Sequence, residues 1–100
     1  MKNVTELEVG EAMARLSRAG RALLDWTQED LAERAGISVS GLRKYEGCVA
    51  TTVGMTNTLK VTFAAAGVEL SLSQEPGQTE LTATLRLTSG VPDRKKVRKK

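Results

Sequence analysis

Apolar positions along the first quarter of the chain return at Val9, Ala12, Met13, Leu16, Ala19 and Leu23. That is the spacing of a helix, and it predicts one from about Gly10 to Asp25. Thr27 then stands where an N-cap belongs, with Gln28, Glu29 and Asp30 in the first turn of a second helix, where acidic side chains suit the positive helix end. Leu31, Ala32 and Ala35 form its inner side, and Gly36 is placed to end it by taking a positive φ. Ser38 caps a third helix that runs to about Tyr45, with Leu42 and Tyr45 inward. After a loop from Gly47 to Gly54, a fourth helix is predicted from about Asn57, with Met55, Leu59, Phe63 and Ala66 on one face and Gly67 as its stop.

The period then changes from helical to two. In VELSLS, Val68, Leu70 and Leu72 alternate with Glu69, Ser71 and Ser73; in ELTATLRL, Leu81, Ala83, Leu85 and Leu87 alternate with Thr82, Thr84 and Arg86. Pro76 and Gly77 lie between them where a turn wants such residues, so the segment predicts a β-hairpin with one apolar face. The expected organisation is a helical domain over residues 1–67 with a frayed polar start, a hairpin over 68–90, and a charged, disordered tail over 91–100. The expected fold class is mainly α, a bundle of four or five helices carrying a C-terminal β-hairpin.

Composition narrows the chemistry. One hundred residues suffice for one small domain, and with only three aromatics (Trp26, Tyr45, Phe63) its core is aliphatic and alanine-rich. There is no histidine and one cysteine, Cys48, which excludes an internal disulfide, a Cys/His zinc site and the histidine-dependent nucleophilic triads. No convergent acid, base, nucleophile or metal-ligand set is visible, so neither an enzyme nor a cofactor is expected. No apolar run reaches the roughly 20 residues of a membrane helix, and a soluble, cytoplasmic protein is expected. The net charge of +3 belongs to the tail: RKKVRKK holds six of the fifteen Lys and Arg, leaving nine basic against twelve acidic groups before it. Affinity for nucleic acid must therefore be argued locally.

The local argument lies in TQEDLAERAGISVSGLRKYE. Two short helices crossing over a tight turn need a small residue on the first, a turn residue that tolerates positive φ, and apolar residues at fixed offsets. Counting Gln28 as position one, Ala32 is fifth and Gly36 ninth, while Leu31, Ala35, Ile37, Leu42 and Tyr45 fill positions four, eight, ten, fifteen and eighteen. With its preceding helix and the following TLKVTFAAAGVEL, this stretch resembles the Cro/lambda-repressor-like, or XRE, helix-turn-helix family over roughly residues 10–70. The resemblance implies that the third helix enters the DNA major groove. Gln28, beside Thr27, falls on the position that contacts a phosphate, and Ser38, Val39, Ser40, Arg43 and Lys44 fall on the base-reading positions. It also implies that Arg21 pairs with Glu46, as a structural contact beside Ala32, Gly36, Ile37 and Leu42.

The chemistry of these residues suits that assignment. Helix N-termini offer free N–H groups to phosphates, Arg43 can donate two hydrogen bonds to guanine, and Val39 can touch a thymine methyl. Gly41 is open to two readings, close backbone approach to DNA or a tolerated surface glycine. Trp26 is expected to pack the helix junction, and Tyr45 to face the core with its hydroxyl at the surface. The expected partners are a double-stranded DNA operator and a second copy of the chain, joined through residues 68–88. The expected function is a dimeric repressor. The alternative is a HipB-type antitoxin, which the VELSLS strand also resembles, binding its operator and a toxin protein. A protein-interaction module without DNA binding is a third reading. The basic tail either follows DNA phosphates or serves as a solubilising end.

Overall fold

The computed structural model describes residues 6–47, 53–74 and 81–88. Four helices, α1 (Glu6–Leu24), α2 (Gln28–Ala35), α3 (Val39–Glu46) and α4 (Val53–Ala65), precede two strands, β1 (Val68–Ser73) and β2 (Thr82–Leu87). The chain is thus mainly α with a C-terminal antiparallel hairpin, the class that the change of period predicts. Cys48, the turn at Pro76 and Gly77 and the basic tail lie outside the described residues.

Two helices begin about four residues earlier than the pattern of apolar positions suggests. α1 starts at Glu6 rather than near Gly10. The polarity of its first turn, which suggested fraying, is what a helix N-terminus favours, because an acidic residue such as Glu8 suits the positive dipole end. α4 starts at Val53 rather than near Asn57. Its opening turn holds poor helix formers, but Met55 packs on the core and the Thr56 hydroxyl is bonded to Tyr45. Tertiary contacts here outweigh propensity.

The ends of α1 and α2 close alike. Gly36 takes φ 71° and ψ 33°, and the Ile37 N–H donates to the Ala32 carbonyl at 3.0 Å. At the end of α1 the left-handed position is filled by Asp25, φ 60°, and the Trp26 N–H donates to the Arg21 carbonyl at 2.8 Å. Aspartate is among the few side-chain-bearing residues that tolerate this region. The two closures turn the chain sharply twice, and α3 comes to pack against both α1 and α2.

The core is one cluster: Met13, Leu16 and Leu24 from α1, Trp26, Leu31 and Ala32, then Leu42 and Tyr45 of α3, Leu59 and Phe63 of α4, and Ala66, Val68 and Leu70. Trp26 stacks on Phe63 with ring centroids 5.9 Å apart, and the Arg34 guanidinium lies 4.5 Å over the indole. Tyr45 differs from expectation. It is wholly buried, and its hydroxyl is 2.7 Å from Thr56 Oγ1 rather than at the surface, because α4 begins early enough to cover it.

In the hairpin, Val68, Leu70 and Leu72 stand opposite Leu87, Leu85 and Ala83, so all six share a face. On the other face Arg86 bonds Glu69 across the strands at 2.6 Å. The hairpin packs against α1 and α4. Its apolar face is only half covered: Val68 and Leu70 are in the core, whereas Ala83 and Leu87 of β2 stay exposed.

Candidate nucleic-acid interface

The helix-turn-helix is built from caps inward. Thr27 Oγ1 accepts from the Asp30 N–H at 3.0 Å and the Asp30 carboxylate accepts from the Thr27 N–H at 2.9 Å, a reciprocal capping box that fixes where α2 starts. Ser38 Oγ accepts from the Gly41 N–H at 2.9 Å and fixes the start of α3. A Cβ on Gly41 would sit 3.0 Å from that same hydroxyl oxygen, so the glycine leaves room for the cap. This is a reason for Gly41 that neither sequence reading supplied.

α3 divides cleanly. Leu42, Tyr45 and Glu46 are buried, while Ser40, Arg43 and Lys44 are exposed, one helical turn apart on the outer face. Ser38 lies exposed at its N-terminus and Ile37 is half-buried against the core. Val39 is also half-buried and packed against the core, so part of the side chain assigned to a thymine methyl is committed to the fold.

Behind the outer face lies a polar network. Glu46 is 2% exposed. Its carboxylate accepts from Arg21 Nη2 at 2.9 Å and Nε at 3.1 Å, from Ser17 Oγ at 2.5 Å and from Gln28 Nε2 at 3.1 Å. The Arg18 guanidinium donates to the Glu46 carbonyl. The structure therefore brings Arg21 and Glu46 together and adds Ser17, Arg18 and Gln28. A buried carboxylate needs such partners, since an uncompensated charge in the interior is costly. The Gln28 amide is used at both ends, because its Oε1 also accepts from Arg43 Nε at 3.3 Å. Arg43 Nη2 reaches Glu29 Oε2 at 3.0 Å. Glu29 is thus joined to the candidate surface, which its sequence position does not reveal. Its place in the first turn of α2 already had an explanation in the helix dipole, and nothing in residue spacing shows that Arg43 reaches across to it.

The N-terminus of α2 and the outer face of α3 thus form one continuous surface holding Thr27, Gln28, Ser40, Arg43 and Lys44. Among the described residues no group of three or more His, Cys, Asp or Glu is placed to hold a metal ion, and no helix is long and apolar enough to cross a membrane. Residues 18–46 match the family model described as helix-turn-helix. That match supports the resemblance of this segment to the Cro/lambda-repressor-like, XRE, helix-turn-helix family, and it supports a DNA-binding helix-turn-helix regulator. No curated protein and no solved structure matches the chain.

Proposed function

We propose that the protein is a sequence-specific transcriptional regulator, most simply a repressor, that reads the DNA major groove with Val39–Glu46. The observation that carries this is the division of α3, whose buried side sets Leu42 and Tyr45 in the core and ties Glu46 to α1 and α2 while Ser40, Arg43 and Lys44 are exposed. An arginine on that face supplies a bidentate partner for guanine, and Thr27, Gln28 and the N-terminus of α2 lie beside it for a phosphate. Lys44 supplies a sequence-blind charge. Arg43→Ala is expected to relax specificity at one base position by about 1–3 kcal/mol, and Lys44→Ala to weaken all sites evenly. Sites selected from a random DNA pool, then titrated against both variants, test this. Unchanged base preferences in Arg43→Ala would remove its assigned role.

In this proposal the chain acts as a dimer on two half-sites about one helical turn apart. Residues 1–67 form the DNA-binding part, 68–90 the dimerising hairpin, and 91–100 a basic tail. The half-covered hairpin supports it: Leu87 is 45% exposed, and Ala83 lines a groove of about 390 Å³ with Ala12, Leu16 and Ala19 of α1, rimmed by the charged Glu8, Glu11 and Arg15. The same uncovered surface supports the second reading, an antitoxin whose hairpin meets a toxin protein. Recovery of a stoichiometric second protein with the chain would favour that reading over a simple repressor.

A further inference from the structure

An arginine side chain has two donor edges: Nε–H with one Nη2–H, side-on, and Nη1–H with the other Nη2–H, end-on. In Arg43 the side-on edge is taken. Nε donates to Gln28 Oε1 at 3.3 Å and Nη2 to Glu29 Oε2 at 3.0 Å. Both acceptors stand in the first turn of α2, so a residue of α3 is braced from the neighbouring helix. The brace continues inward, since Gln28 is itself tied to buried Glu46, which is held by Arg21 and Ser17. Stability does not account for the outer link. Arg43 and Glu29 are 58% and 61% exposed, and pairs so exposed contribute about 0–1 kcal/mol.

We infer that Glu29, together with Gln28, is a positioning residue for base recognition. It holds the side-on edge of Arg43 and leaves the end-on fork, Nη1 and Nη2, to meet the O6 and N7 acceptors of a guanine. This rests on the proposal that α3 reads the major groove. The carboxylate has a second effect. A phosphate that approaches Arg43 also approaches the charge of Glu29, which lowers the attraction of this arginine for the DNA backbone. Specificity then arises partly from weakening the wrong contact.

The test compares Glu29→Ala, Glu29→Gln and Arg43→Ala with the full chain. Base preferences come from selection in a random DNA pool, and affinities from the selected duplex and a scrambled one. Glu29→Ala is expected to lose about fivefold or more of the preference at the one base pair that Arg43→Ala also relaxes, a fraction of the discrimination of a bidentate pair. It is also expected to bind the scrambled duplex more tightly. Glu29→Gln keeps an acceptor oxygen without the charge, so it should retain the base preference while still gaining affinity for the scrambled duplex. The positioning role is overturned if Glu29→Ala tightens both duplexes equally with preferences intact, for then the carboxylate only repels DNA. If Arg43→Ala also leaves every preference unchanged, the groove-reading proposal falls with it. Both positions are exposed, and circular dichroism confirms that the variants keep their helices.

Discussion

Glu46 is where three helices meet. It sits at the end of α3, accepts from Ser17 and Arg21 on α1, and accepts from Gln28 on α2. Removing it leaves the Arg21 charge and a buried hydroxyl without their partner, which is the expensive way to break a buried pair. Glu46→Ala is expected to lower unfolding free energy by about 2–4 kcal/mol, somewhat below the full cost because Arg21 keeps partial access to water. Arg43→Ala, whose ion pair is exposed, should cost less than about 1 kcal/mol. Urea denaturation of the two variants measures both, and equal losses would show that the network does not hold α3 in place. Of this network, a resemblance suggested Arg21 with Glu46. The rest was illegible, because Ser17, Arg18 and Gln28 look like surface residues until the crossing of the helices brings them onto one carboxylate.

The ends of the elements were far easier to read than their buried faces. Thr27, Gly36, Ser38 and Gly67 announce their roles by chemistry that acts within a few residues. The face of α1 does not. Its buried stripe runs through Met13, Leu16, Ser17, Gly20 and Leu24, while Val9, Ala19 and Leu23 remain exposed. Counting apolar residues misses a stripe that contains a serine bonded to Glu46 and a glycine chosen for space. A Cβ on Gly20 would lie 2.7 Å from Phe63 Cε1, and that ring is itself stacked on Trp26. Alanine at this position gains about 1 kcal/mol of helix propensity but overpacks the ring, at about 1–3 kcal/mol. Gly20→Ala is therefore expected to lower the thermal midpoint. A higher midpoint would mean that Phe63 yields without loss.

At the scale of the molecule, the hairpin is part of the helical core as well as an addition to it. Val68 and Leu70 are 0% and 3% exposed, and each contributes about 1.5–3 kcal/mol by burial. Cutting the chain after Gly67 would remove both and confuse unfolding with loss of a dimer. A point change on the uncovered half avoids that. Leu87→Asp in the full chain is expected to turn the proposed dimer into a monomer by sedimentation while leaving helix content unchanged, and to weaken operator binding. A variant that sediments like the wild type would move the interface elsewhere. The alternation of VELSLS and TATLRL made the shared apolar face legible. Which half of that face the helices cover depends on how α1 and α4 pack, and that lies outside any local pattern.

The division of α3 has a consequence for how such a protein changes over generations. Its inner residues answer to the core, and under the proposed function its outer ones answer chiefly to the sequence being recognised. Substitutions at Ser40 can therefore drift toward a new target at almost no cost to folding. Arg43 is less free, because its acceptors are on α2. A lineage that replaces Arg43 releases Glu29 and Gln28 as well, so a switch of target at this position is expected to arrive as a correlated change on two helices.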